Sequence, residues 1–417
     1  MTATKPMDDW ARWARLPIKR FAELVYGDAL PQETRDETGD VPVFGSNGAF
    51  GRHSEANTEA PTILVGRKGS YGALNWSDTP AFAIDTVYFI DRRHARCDLR
   101  WLFWALHTAG LDGLSQDTGV PGLSRETAYG ARLPLPSLRE QTAIAASLDR
   151  ETGKIDALVE EQRRLMELLR EKRQAVISHA VAKGLDPNAK MKPSGVDWLG
   201  DVPEHWGVAR LKFVASVQTG TAKGKDNDGR DTIVVPYLRV ANVQDGYIDL
   251  SDVAEIEVPA SDLSRYLLRK GDVLMNEGGD FDKLGRGSIW EGQIDPCIHQ
   301  NHVFAVRPTA VTPEWLNLVT GSSYAQFFFM GRSKQSTNLA SISSTNVMEL
   351  PITLPPPEER SEILRHVSAE LLGLDALHKQ ASIATELLLE RRSALISAAV
   401  TGKIDVLAYD ATEVQAA

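Results

Sequence analysis

The sequence predicts an α+β chain in which two pseudo-symmetric globular domains alternate with two long helices that pair as an antiparallel coiled coil. Three observations predict it. A long segment recurs at a fixed offset of 219 residues. Both copies carry apolar residues at helical spacing. Each copy follows a stretch of short β-type runs punctuated by glycine.

The repeat is read first, because missing it would misjudge the whole chain. Glu171-Lys172-Arg173-Gln174-Ala175-Val176-Ile177-Ser178 matches Glu390-Arg391-Arg392-Ser393-Ala394-Leu395-Ile396-Ser397. At the same offset Ile155-Asp156-Ala157-Leu158 falls on Leu374-Asp375-Ala376-Leu377, and Glu140 on Glu359. Similarity without gaps runs from Glu140 to Asp186 against Glu359 to Asp405, with roughly a third of positions identical.

Within the first copy Ile144, Leu148, Ile155, Leu158, Leu165, Leu169 and Val176 form an apolar seam, interrupted by Glu151, Gln162 and Lys172. The second keeps it with Ile363, Val367, Leu374, Leu377, Ala381, Ala384, Leu388 and Leu395, interrupted by Glu370 and Arg391. Ser137 with Glu140 makes a capping box, and Pro355-Pro356-Pro357 opens the second helix. Gly184 and Gly402 stand where each should stop. A helix from Leu138 to Lys183 would be roughly 65–70 Å long, with slight bends expected at Gly153 and, in its partner, at Gly373. An antiparallel register that joins Glu151 to Arg391 also joins Lys172 to Glu370, so two symmetric ion pairs could fix the alignment. The alternative is that the four charges reach solvent independently.

The segments ahead of the helices share an outline. Trp13-Ala14-Arg15-Leu16 resembles Trp206-Gly207-Val208-Ala209-Arg210-Leu211. Strands are expected at Thr62–Gly66 and Phe82–Ile90 in the first, and at Asp272–Asn276 and His302–Val306 in the second. A helical stretch follows in each, Leu99–Thr108 and Pro313–Phe329. The parts divide as a first domain at 1–136, a first helix at 137–184, a linker at 185–206, a second domain at 207–356, a second helix at 357–403 and a tail at 404–417.

Composition narrows the function. The 417 residues suffice for several domains, and 42% hydrophobic with 24% charged residues suits ordinary buried cores. No run is apolar enough to span a bilayer, and the N-terminus lacks the apolar core of a signal peptide, so a cytoplasmic protein without a membrane role is expected. Two distant cysteines, Cys97 and Cys297, fit a reducing compartment. The net charge of −10 argues against a nonspecific nucleic-acid binder. A reader of DNA with local basic loops stays compatible with it, though it should bind weakly alone and need a partner to add phosphate contacts.

Catalytic signatures are not found. Pro355-Pro356-Pro357 is followed by Glu358 rather than by the aromatic residue of an amino-methyltransferase loop, and Phe44-Gly45-Ser46-Asn47-Gly48 reads better as a β-turn than as a cofactor loop. No glycine-rich phosphate loop ends in Gly-Lys-Ser/Thr. Cys297, His299 and His302 lack a second ligand pair, and strand alternation accounts for them without a metal. No catalytic residue, no metal and no cofactor is therefore assigned to this chain.

Met191-Lys192-Pro193-Ser194-Gly195-Val196-Asp197-Trp198-Leu199-Gly200-Asp201-Val202-Pro203-Glu204-His205-Trp206, running on into Arg210-Leu211-Lys212-Phe213, resembles the opening of a target recognition domain in specificity subunits of type I restriction–modification enzymes. Pro134-Leu135-Pro136 with Glu140-Gln141, and Leu354-Pro355-Pro356-Pro357 with Glu359-Arg360, resemble the starts of that family's conserved helices. The resemblance covers nearly the whole chain, although Trp10-Ala11-Arg12-Trp13 is an abbreviated form of the motif. It implies a non-catalytic subunit whose two domains each read half of a split, asymmetric site in double-stranded DNA. The helix pair would set the spacing, as dimer geometry does in other DNA readers. It further implies two modification subunits that methylate adenine with S-adenosylmethionine, and restriction subunits that use ATP and Mg.

Candidate DNA contacts follow from chemistry, since Arg and Lys suit guanine edges or phosphates and Asn and Gln suit adenine. In the first domain they are Arg67, Lys68, Ser70 and Tyr71 of the loop Gly66–Gly72, whose glycines would let a phosphate approach the backbone, with Ser46, Asn47, Gln116 and Arg125. In the second they are Thr219, Thr221, Lys223 and Lys225, then Arg239 and Asn242, Lys283 and Arg286, Gln300 and Asn301, and Lys334, Gln335, Ser336 and Asn338. The rival of another class is a coiled-coil scaffold whose globular domains bind proteins. It suits the acidic balance but leaves unexplained why two similar folds carry differing basic, amide-rich loops.

Overall fold

The computed structural model describes residues 12–31, 38–114, 122–224, 230–279, 284–285, 287–335 and 340–406. The chain forms two compact units, one of residues 1–163 with 382–417 and the other of residues 164–381. Both long helices, Leu138–Lys183 and Pro357–Val400, are divided between the units. Each unit therefore holds one α+β domain and a piece of each helix.

In the first unit a four-stranded antiparallel sheet runs in the order Val25–Tyr26, Val87–Asp91, Thr62–Gly66, Leu74–Ser77. Its two central strands are buried throughout, which is why they read as unbroken β-branched and aromatic runs. A second sheet joins Gly48–His53, Val41–Gly45 and Phe82–Ala83, the last pair parallel. The expected single strand over Phe82–Ile90 is thus two strands in two sheets, because the chain turns at 84–86 to change sheets. Helix Leu99–Leu106, capped by Asp98, buries Trp101, Leu102 and Trp104 against the four-stranded sheet.

The second unit repeats this plan. Its four-stranded sheet has the order Ala215–Thr219, Val303–Pro308, Val273–Asn276, Gly287–Ile289, and its three-stranded sheet Ala254–Pro259, Thr232–Leu238, Ile298–His299, again with a parallel last pair. Where one helix was expected over Pro313–Phe329 there are two, Pro313–Thr320 and Ser323–Arg332. Ser322 separates them because its hydroxyl caps Ala325 N–H and starts a new helix.

Within each unit the two helix pieces run antiparallel. In the second, Arg173 pairs with Asp375 while Gly184, further along the first helix, lies beside Glu359, earlier in the second. In the first, Arg392 Nε donates to Asp156 Oδ1 at 2.8 Å, while Glu140 and Ile144 lie beside Ile404 and Asp405. The capping box forms as expected: Ser137 N–H donates to Glu140 Oε2 at 2.8 Å.

The proposed ion pairs do not form. Glu151 is held by Arg150 and Lys154 of its own helix, and Lys172, Glu370 and Arg391 are exposed, with no ion pair among the described residues. The expected seam holds at Ile144, Leu148, Ile155 and Leu169, and at Ile363, Val367 and Ala381, but shifts by one residue where the ion pair was expected. Thr152 and Val159 point inward where Glu151 and Leu158 were expected, leaving Leu158 and its repeat partner Leu377 exposed. The pairs observed instead, Asp156–Arg392 and Arg173–Asp375, are still copies of one another at the 219-residue offset.

Both helices stop as expected, at Gly184 and Gly402, whose φ of +74° and +76° is the left-handed conformation glycine adopts without cost. Each stop sits on a tryptophan. A Cβ on Gly184 would come within 3.1 Å of Trp206, and one on Gly402 within 2.8 Å of Trp13. Trp206 Nε1 donates to Glu359, and the repeat counterpart Glu140 accepts from Arg12. The end of the second long helix thus closes the first unit as the end of the first closes the second.

Candidate nucleic-acid interface

In the first unit, loops far apart in sequence converge at one end of the four-stranded sheet. Arg67 N–H donates to Thr86 O at 2.8 Å, and Arg67 O accepts from Leu123 N–H at 2.8 Å. Lys68 forms a bridge to Gly122, and Ser46 Oγ donates to Thr86 O. The guanidinium of Arg67 lies 4.9 Å from the centre of the Tyr26 ring, with its Nη1 donating to Asp85 O at 3.1 Å. Arg125 lies 4.9 Å from the same ring. Two fixed guanidinium groups at one aromatic ring make a positively charged, donor-rich patch. Lys68, Ser70 and Asn47 are exposed beside it, and Tyr71 is half-buried against the core.

The second unit gathers its loops in the same way. Thr221 N–H donates to His299 O and Asn301 N–H to Thr221 O, while Gln300 Oε1 accepts from Val240 N–H. Glu277 N–H donates to His302 O at 2.9 Å and Glu277 O accepts from Ile342 N–H at 2.9 Å. The short strand Lys334–Gln335 joins this end through Ala340–Ser341, which also pairs with Gly278–Gly279. Thr219, Lys223, Lys334 and Gln335 are exposed, and Gln300 and Asn301 are half-buried. Gln116, Lys225, Lys283, Arg286, Ser336 and Asn338 lie outside the described residues.

Several candidates serve the protein rather than the solvent face. Ser46 is 7% exposed, Thr221 4% and Asn242 3%. Asn242 spends its amide on Asp249 O and Asp252 O, and its carbonyl accepts from Arg239 N–H. Arg239 itself is held by Asp252 at 2.7 Å. The glycines of the Gly66–Gly72 loop were expected to admit a phosphate. A Cβ at Gly66 would instead meet Ser70 O at 2.2 Å and one at Gly72 the Asp112 N at 2.4 Å, so these two make room for the protein's own backbone, and only Gly69 faces open space.

Tyr26, Glu277 and His302 were missed. The repeat at the 219-residue offset does not mark them: Tyr26-Gly27 corresponds to Thr219-Gly220 through strand pairing, and both glycines face a backbone carbonyl within 2.1 Å of where a Cβ would stand. A carboxylate only accepts hydrogen bonds, so the donor and amide chemistry that marks guanine and adenine contacts does not mark Glu277. Glu277 Oε2 lies 2.7 Å from His302 Nδ1, and its side chain is 27% exposed.

Burial shapes the protonation behind these loops. Tyr88, whose hydroxyl donates to Leu123 O, is pushed up to about 12 chiefly by burial. Burial pushes the His299 imidazole down to about 4, so it is neutral, with Nδ1 against Val303 O. Cys297 is buried and its thiol is raised to about 12, again by burial. Among the described residues no three His, Cys, Asp or Glu side chains are grouped to hold a metal, and no helix is long and apolar enough to cross a membrane.

Comparison with known proteins places this architecture. Residues 11–165 match the family described as type I restriction modification DNA specificity domain. The specificity subunit of the type I restriction enzyme EcoBI from Escherichia coli is 24% identical over 94% of this chain and 86% of its own length. That of EcoKI, from Escherichia coli strain K12, is 24% identical over 72% of this chain, and the match spans 63% of that relative's length. A chain from a structure concerned with complex assembly and conformational transition of the type I R-M system superposes with a TM-score of 0.61 at 15% identity. It covers 94% of this chain and 98% of that one, a likeness of fold. The chain is thus similar to type I specificity subunits, as the motifs around Met191–Trp206 and the two helix starts implied.

Proposed function

We propose that this chain, similar to type I specificity subunits, is itself one: it binds double-stranded DNA, reads a split asymmetric site, and directs adenine methylation and cleavage performed by partner subunits. The observation that carries the reading is the repeated plan of the two units. Both bring loops to the same end of the same sheet, and the side chains there differ between them. A single site read twice would call for equal loops; two different half-sites call for unequal loops on equal scaffolds.

The chain acts by binding and supplies no catalytic group of its own. S-adenosylmethionine belongs to the modification subunits, and ATP with Mg to the restriction subunits. The complex works in the cytoplasm, where the DNA is. Two modification subunits per chain fit the exposed leucines of the helices. The first unit presents Leu158 and Leu387, 45% and 58% exposed, and the second presents their repeat partners Leu377 and Leu168, 49% and 44% exposed. Apolar side chains displayed twice in the same arrangement suit two copies of one partner.

The test is a methylome. The chain is expressed with its modification subunit in a host lacking adenine methylation, and modified adenines are mapped by long-read sequencing. One split, asymmetric motif that vanishes when this chain is omitted is expected, and exchanging residues 207–356 should alter only one half of it. A soluble complex that methylates nothing would hand the lead to the protein-binding scaffold.

A further inference from the structure

The strand registers make Arg67 and Glu277 structural counterparts. Gly66 pairs with Val87 as Asn276 pairs with Val303, and the next residue in each unit, Arg67 or Glu277, exchanges the same two backbone hydrogen bonds with the neighbouring loops. One position on one scaffold therefore carries opposite chemistry. Resting on the function proposed above, we infer that this position is a specificity determinant in both domains, with Arg67 selecting guanine in one half-site and Glu277 selecting cytosine in the other.

A guanidinium only donates hydrogen bonds and an ionised carboxylate only accepts them. In the major groove guanine offers two acceptors side by side, cytosine offers an amino donor, and adenine offers one of each. Arg67 is prepared for the first edge. Its plane is fixed against Tyr26 and by Asp85 O, so little side-chain freedom is left to lose on binding. Arg125, at the same ring, adds a second positive charge.

Glu277 is prepared for the second. His302 holds Oε2, and Oε1 carries no hydrogen bond among the described residues, leaving an oriented acceptor. Guanine would set O6 and N7 against that carboxylate. Adenine would set N7 beside it. Only cytosine presents its amino group with no acceptor next to it on that edge. The His302–Glu277 contact alone would also suit a simple brace of the loop, and the experiment separates the two roles.

The full chain is expressed with its modification subunit, as wild type and with Arg67→Gln, Glu277→Gln, Glu277→Arg or His302→Gln, and each methylome is mapped. Glu277→Gln should relax one cytosine position of one half-site by at least about five-fold in relative methylation, leaving the other half unchanged. Arg67→Gln should do the same to one guanine in the opposite half. Glu277→Arg should move the relaxed position toward guanine, whereas His302→Gln, which keeps the carboxylate, should retain cytosine. Should a Glu277 variant fail to assemble, competition binding of the His302→Gln complex to oligonucleotides altered at single bases must still show the cytosine preference. An unmoved motif, or methylation lowered equally at all sites, overturns the inference and leaves Glu277 and Arg67 as structural residues. A wild-type complex that yields no split motif defeats the proposed function instead, so the two failures are distinguishable.

Discussion

The two α+β domains agree in what is buried and differ in what faces the loop end. Both place a strand with a buried apolar centre in the middle of the sheet, Thr62–Gly66 in one and Val273–Asn276 in the other, flanked by the same neighbours in the same order. Both seat a helix-terminating glycine on a tryptophan. At the loop end, however, Tyr26 answers to Thr219, Arg67 to Glu277 and Thr86 to His302. A core tolerates change only if volume and pattern are kept, whereas a loop end needs only its backbone bonds. A duplicated reader can therefore diverge in specificity while its folding rules stay fixed.

The comparison can be broken at its shared anchor, where the largest effect is expected. Trp206 is 1% exposed and Trp13 is half-buried. Trp206→Ala should cost about 3–5 kcal/mol in chemical denaturation followed by circular dichroism, and Trp13→Ala distinctly less. Equal losses would mean that Trp13 is as deeply built in as its counterpart, and that the two closures are interchangeable.

A smaller effect should appear in one domain only. His299 stands where the first domain has Ala83. Its folded value near 4 lies below the ordinary value of about 6.5, so the unfolded chain binds the proton more tightly. Its contribution is fully present above about pH 6.5 and is lost as pH falls toward 4, by about 3 kcal/mol in all. Urea unfolding of His299→Ala should show a flatter acid dependence than wild type over that window. Identical slopes would show that His299 does not set the acid sensitivity of the second domain.

The smallest effect should come from the two inter-helix ion pairs. Both are partly exposed, with side-chain exposures of 26% and 51% for Arg392 and Asp156 and of 38% and 61% for Arg173 and Asp375. Double-mutant cycles should give about 0.2–1 kcal/mol for each. A coupling well above that range would make the pairs determinants of register rather than surface decoration.

Legibility in the sequence followed the range of the interaction involved. The capping box at Ser137 and Glu140, the strand at Thr62–Gly66 and the glycine stops rest on neighbours a few residues apart, and each was readable. The break at Ser322 carried a local signal, the cluster Thr320-Gly321-Ser322-Ser323, which the apolar residues on either side outweighed; the Ser322 hydroxyl caps Ala325 N–H there. The helix seam was readable at Ile144, Leu148, Ile155 and Leu169 but missed by one residue at Thr152 and Val159, since spacings of three and four can alternate in either order. That choice moved Leu158 to the surface and left Glu151 without its expected partner. In the candidate interface Ser46, Thr221 and Asn242 are buried and hold the loops from inside.

The sequence by itself determined the duplication and the alternation of domains with helices, because hydrophobic period, caps and repeats are local patterns along one chain. Only the tertiary structure decided which loop residues face outward, which charges pair, and that Arg67 and Glu277 occupy one shared position. Those facts depend on strand register and helix phase, where a shift of a single residue turns a side chain from the core to the solvent.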